Sequence, residues 1–105
     1  MPSNKLTRLT RKTIQKATEP CCILVYADWC PHSRSLHETL SKYSGKRNIL
    51  VVFDTDEALL QPDLKLPIGG GGYPRLYKRN SVGGKFTMYP SNGSRTISAL
   101  TTWMK

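Results

Sequence analysis

The 105 residues suffice for one domain with a core of its own, residues 1–105, and not for two. With 38% hydrophobic and 22% charged residues, and no apolar run near the roughly 18 residues of a membrane-spanning helix, the composition excludes a membrane span and fits a monomer folding in water. The 16 Lys and Arg against 7 Asp and Glu leave a net charge of +9, spread over residues 5–16, 42–47 and 65–85 without a dense block, which favours a solvated basic surface drawn to acidic partners over a dedicated nucleic-acid site.

Residues 1–18 are basic, Thr-rich and free of acids, as an organellar transit peptide can be, yet Leu6, Leu9, Thr13, Ile14 and Ala17 recur at helical spacing. A packed first helix ending before Glu19-Pro20 is the expectation. With no secretory apolar region, a cytoplasmic location is favoured. Residues 21–27 form an unbroken apolar run of strand length, fit for a strand buried on both faces. Pro31 suits the first turn of a helix, since its missing N–H is not needed there. Leu36, Leu40 and Tyr43 then mark one apolar face, Arg34, Glu38 and Lys42 face water, and Gly45 is placed to close the helix.

Asn48 leads into a second apolar strand, residues 49–53, so residues 21–53 make a βαβ unit with a right-handed crossover. Asp54, Thr55, Asp56 and Glu57 can cap a short helix through Leu60, with Pro62 as its stop. The four glycines at 69–72 read as a loop that lacks the Gly-Lys-Ser/Thr ending of a phosphate-binding loop. Residues 75–78 and 85–89 alternate and are joined by a turn-rich stretch, which predicts an antiparallel hairpin. A turn at Ser91, Asn92 and Gly93 precedes a last helix with Ile97, Leu100 and Met104 or Trp103 inward. The predicted order is α, β, α, β, α, β, β, α: an α/β fold with a central mixed sheet, a parallel βαβ half plus an antiparallel hairpin half, flanked by helices.

Three cysteines, Cys21, Cys22 and Cys30, are too few and too odd for a disulfide framework. His32 is the histidine near Cys30 and no fourth ligand has suitable spacing, so no metal site is expected. Cys30 falls at the N-cap of the helix that Pro31 begins. Its sulfur faces unpaired N–H groups and the positive end of the helix dipole, which stabilise a thiolate, the attacking species in disulfide exchange. His32 in the same turn adds a donor and, when protonated, a charge. Burial of Cys30 as an apolar filler is the structural alternative. Cys21 and Cys22 begin the strand that ends near Cys30, about 20 Å away at about 3.3 Å per residue, too far for a disulfide with it.

Residues 23–33, ILVYADWCPHS, resemble the active-site segment of thioredoxins and protein disulfide isomerase domains. Residues 73–78, YPRLYK, resemble their cis-proline loop, and residues 93–103, GSRTISALTTW, their terminal helix. The resemblance implies the thioredoxin fold and a thiol-disulfide oxidoreductase acting on protein disulfides without a cofactor. Its catalytic residues would be Cys30, Pro31, His32 and Ser33, with Trp29, Tyr73 and Pro74 as the substrate-binding set. It further implies a cis bond before Pro74 that lets the Tyr73 backbone pair with an extended substrate, and Trp29 as an apolar shield.

Three positions depart from that pattern. Ser33 stands where those families carry the resolving cysteine, so the site is monothiol as written. Either Ser33 is native and the protein relies on an external thiol such as glutathione, or it is an engineered replacement of cysteine. Leu24 replaces a buried carboxylate and Glu38 a proline. A redox-inactive peptide-binding module and a glutathione-dependent protein of the monothiol glutaredoxin kind are the rival readings; Trp29, Pro31 and His32 argue against the latter.

Overall fold

The computed structural model describes residues 6–18, 20–43, 45, 47–66, 72–81, 84–90 and 93–104, the side chains of Lys16 and Thr18 excepted. Glu19, the glycines at 69–71 and the turn residues Val82, Gly83, Ser91 and Asn92 lie outside the described residues. The elements are β1 (Leu6–Arg8), a 3-10 turn (Ile14–Thr18), β2 (Cys21–Tyr26), α1 (Pro31–Leu40), β3 (Asn48–Phe53), α2 (Asp54–Leu64), β4 (Arg75–Arg79), β5 (Thr87–Met88) and α3 (Ile97–Trp103).

They build a five-stranded mixed sheet in the order β1-β3-β2-β4-β5. β3 runs parallel to β1 and β2, while β4 runs antiparallel to β2 and β5. This is the expected α/β arrangement, a parallel βαβ half and an antiparallel hairpin half. β2 lies at its centre, with Ile23 opposite Leu50 on one side and Tyr77 on the other. Its apolar run alternates between two cores. Cys21, Ile23 and Val25 join Leu50, Val52, Leu60, Leu64 and Tyr77 on the α2 side. Cys22 and Leu24 join Leu36, Leu40, Ile49, Val51, Leu76 and Leu100 on the side of α1 and α3. The inward faces predicted for α1 and α3 are met in large part: Leu36, Leu40, Tyr43, Leu100 and Met104 are buried, while Ile97 and Trp103 are half-buried.

The N-terminal segment departs from expectation. Residues 6–17 form no α-helix; Leu6, Thr7 and Arg8 pair with Ile49, Leu50 and Val51, and the chain then makes a short 3-10 turn. Two causes act together. The outer edge of β3 presents backbone groups that must be paired, and the Leu9 N–H adds a further bond to the Val51 carbonyl at 2.8 Å. The threonine hydroxyls meanwhile compete with a helical ladder: Thr13 Oγ1 accepts from the Thr10 N–H at 2.8 Å, and Thr10 Oγ1 from the Lys12 N–H at 3.2 Å.

Two helix ends also differ. α2 runs past Pro62 to Leu64. Leu60 and Leu64, one turn apart, are both buried against the sheet, and Lys65 closes the helix at φ 53° with its N–H on the Gln61 carbonyl at 2.8 Å, which offsets the bond Pro62 cannot make. Its acidic residues do not cap through their side chains; Phe53 is the N-cap, and Asp54, Asp56 and Glu57 sit in the first turn at the positive end of the dipole. α1 ends at Leu40 with Ser41 as C-cap, short of Gly45. Gly45 instead lies against the ring of Tyr43, where a β-carbon would collide.

The last turns are tied to the sheet by Arg47, whose guanidinium donates to the carbonyls of Met104 and Arg79 and to Asn80 Oδ1. Replacing Leu50, buried beside β2, by alanine should lower the unfolding free energy by about 2–5 kcal/mol. Leu59→Ala, at a residue 58% exposed, should stay within about 0.5 kcal/mol, and urea titration of both variants checks the contrast.

Candidate functional site

The candidate site forms where β2 leaves the sheet. After Tyr26 the chain turns, with the Cys30 N–H on the Ala27 carbonyl at 3.0 Å, and Pro31 begins α1. Cys30 is the N-cap, in extended conformation at φ −101° and ψ 118°, and its carbonyl accepts the first helical bond from Arg34 at 3.1 Å. Cysteine has no side-chain oxygen to cap with, and no side-chain cap bond is made. The orphan N–H groups of the first turn therefore face sulfur.

The consequence is electrostatic. The Ser33 backbone N–H, the largest influence, holds the Cys30 thiol below its ordinary range against a smaller opposing effect of desolvation; the Ser33 hydroxyl, the His32 backbone N–H and the charge of Arg34 act in the same direction. Cys30 is partly exposed, so a thiolate there could reach a partner. His32 acts on the sulfur through its backbone; Pro31 and the His32 residue as a whole are exposed. Ser33 is fully buried, and its Oγ makes no hydrogen bond of normal geometry among the described residues. What it contributes at the sulfur is a dipole at short range.

Across the site, the peptide bond between Tyr73 and Pro74 is cis, and the Cys30 thiol donates to the Tyr73 carbonyl at 3.8 Å. Gly72 enters this loop at φ 116°, a conformation that favours glycine even though a β-carbon would meet nothing there. Trp29 is 65% exposed. Its indole N–H donates to Asp54 Oδ2 at 2.7 Å and its ring stands edge-on to Tyr73, 5.7 Å between centroids. Trp29 and Cys30 from the turn after β2, Ser33 from the first turn of α1, and Tyr73 and Pro74 from the loop before β4 thus converge.

The structure adds residues that motif reading passes over. Arg75 Nη2 donates to both oxygens of Glu57, at 2.7 and 2.6 Å, with the two side chains only 10% and 13% exposed. Arg75 Nη1 donates to Tyr77 Oη at 3.2 Å and Nε to the Gly72 carbonyl at 3.0 Å, while Tyr73 Oη donates to Glu57 at 3.3 Å. Burial first, then the Glu57 carboxylate, push the Tyr73 phenol up. A charge pair this sheltered holds the Tyr73 loop to α2, and loss of one partner would strand the other. The available signal was the clustering of Asp54, Asp56 and Glu57, three of only seven acids, directly after a strand.

Cys21 and Cys22 stand apart from this site, buried on opposite faces of β2 and unbonded to each other. Burial pushes the Cys22 thiol up to about 12. Among the described residues no group of three or more His, Cys, Asp and Glu could hold a metal ion, and no helix is long and apolar enough to cross a membrane.

No protein-family model matches the sequence, and no curated protein does. Solved structures match the fold. The J-Trx1 fragment of ERdj5 superposes with a TM-score of 0.73 at 23% identity, over 94% of this chain and 48% of that one. The zinc-bound form of human ERp44 gives 0.69 at 18% identity, over 94% of this chain and 31% of that one. The first thioredoxin domain of mouse protein disulfide-isomerase A4 gives 0.59 at 17%, over 99% and 76%. The chain spans about half or less of the first two, and the likeness is one of fold: the thioredoxin fold.

A pulse of iodoacetamide on the folded protein should label Cys30 and leave Cys21 and Cys22 unmodified. A lowered pKa makes thiolate available at lower pH, so the rate should rise through a midpoint below the value of about 8.5 of a free thiol. Mass spectrometry after pulses from pH 5 to 10 checks both; a midpoint at or above the free value would contradict the geometry.

Proposed function

We propose that the chain is a thiol-disulfide oxidoreductase acting on protein disulfides through Cys30, monothiol as it stands. The observation that carries this reading is the partly exposed Cys30 at the N-cap of α1, its pKa lowered chiefly by the Ser33 N–H. The solved neighbours support the same class at a coarse level, since one of them is a thioredoxin domain of a protein disulfide-isomerase.

In this reading the Cys30 thiolate attacks one sulfur of a substrate disulfide. A mixed disulfide forms and the other sulfur leaves as a thiolate that takes a proton from water. The Tyr73 carbonyl, beside Cys30, and the exposed face of Trp29 are the groups an extended substrate backbone would meet. Pro74 shapes that loop, and His32 stands at the mouth of the site. Ser33 has no thiol with which to expel the substrate, so release requires an outside thiolate, such as glutathione, attacking the mixed disulfide. The net charge of +9 favours acidic protein substrates by speeding encounter. No cofactor is required by this chemistry.

Incubation with a disulfide-bonded peptide should yield a stable one-to-one adduct at Cys30, seen as a mass increase that added glutathione removes. Cys30→Ala should give none. Ser33→Cys should convert the single event into repeated turnover of insulin disulfides in the presence of dithiothreitol. A folded Ser33→Cys protein without turnover, or a Cys30→Ala protein that still retains the peptide as tightly, would replace this reading with a redox-inactive binding module.

A further inference from the structure

At the end of β4 remote from Cys30 lies a pocket of about 470 Å³ formed by Asp63, Leu64 and Lys65 from the end of α2 and by Arg79, Gly84, Lys85 and Phe86 from the hairpin. Arg75 and Arg79 are four residues apart on one strand, which sets the pocket about 13 Å or more from the Tyr73 loop. It is a separate place on the molecule.

Its chemistry is one-sided. Lys65, Arg79 and Lys85 bring three positive charges against the single carboxylate of Asp63. Lys65 and Lys85 are exposed at the rim, while Leu64 and Phe86 are buried and give an apolar floor. Arg79 packs on the hairpin: its guanidinium lies 4.3 Å over the Phe86 ring and Nη1 reaches the Gly84 carbonyl at only 3.4 Å. Its Nε is buried and finds no acceptor among the described residues. A guanidinium stacked on a ring, with one N–H lacking an acceptor among the described residues and two lysines lining the same pocket, has the chemistry to receive an anionic group. The volume lies in the range of small-molecule sites.

We propose that this pocket binds a small organic anion, its phosphate or carboxylate group held by Arg79 with Lys65 and Lys85 and its apolar body resting on Leu64 and Phe86. The site is independent of the thiol reading above. A nucleic-acid strand would need cations and stacking rings continued along a groove, whereas Phe86 is the one ring among the described residues that line this pocket.

The test is a titration of the uniformly 15N-labelled full chain in 150 mM salt, followed by amide shifts, with AMP, with benzoate and with adenosine as the uncharged comparison. Saturable shifts centred on residues 64–65, 79 and 84–86 are expected with AMP or benzoate and not with adenosine; AMP alone assigns a phosphate ligand and benzoate alone a carboxylate. The double variant Lys65→Asn, Lys85→Ser, chosen because both residues are exposed and Asn tolerates the left-handed backbone at 65, should weaken binding at least about tenfold. Its Cys30 alkylation rate should be unchanged. Arg79→Gln should abolish binding, with circular dichroism reporting whether that variant folds. Absence of saturable shifts with both anions, or shifts spread over the basic surface and unaffected by the double variant, would overturn the proposal.

Discussion

Between Cys21 and Val25 the backbone of β2 is bonded on both sides, to β3 and to β4, and its side chains are packed on both faces. No residue of that stretch can meet solvent, and an unpaired polar group within it would be costly. A side chain of this strand can meet solvent only where the strand ends. There the chain must turn into α1, and the helix start leaves N–H groups without partners. Cys30 occupies that junction, so the burial that stabilises the sheet also places a thiol at the one point where backbone dipoles converge on it.

The same condition explains the two faces of the molecule. Alternation along β2 sends Cys21 to the α2 core and Cys22 to the core of α1 and α3, where both serve as small apolar groups. Their sulfur has the same composition as that of Cys30 and a different fate, decided by solvent and by neighbouring dipoles. Leu24 shows the other side of this: it packs among apolar side chains, so the Cys30 thiol is held low from the helix end and by Arg34 and not by a carboxylate within β2.

What was legible in the sequence follows the range of the forces involved. β2, α1 and β3 were readable because unbroken apolar runs and an i, i+4, i+7 stripe are local patterns. The last helix and the antiparallel pairing of the hairpin were readable for the same reason, although of the expected residues 85–89 only Thr87 and Met88 form β5, and Cys30 was readable because Pro31 announces a helix start. Residues 6–17 misled because Leu6, Leu9, Thr13 and Ile14 satisfy a helical period, while the demand of an open β3 edge acts from forty residues away. Pro62 misled because its local preference was outweighed by the burial of Leu60 and Leu64 on either side. The pairings Glu57 with Arg75 and Trp29 with Asp54 leave no periodic trace, since each joins residues that only the folded sheet brings together.

Phe53 is at once the last residue of β3 and the N-cap of α2, with no connecting loop between them. The first turn of α2, and with it Asp54 and Glu57, is therefore geared directly to the register of β3 against β2. A slip of one residue in that pairing would exchange the two cores and rotate both carboxylates away from Trp29 and Arg75 together. Sheet register and the outline of the surface around Cys30 are one degree of freedom, so a fault in pairing deep in the molecule would be read at its surface as a misshapen setting for the sulfur.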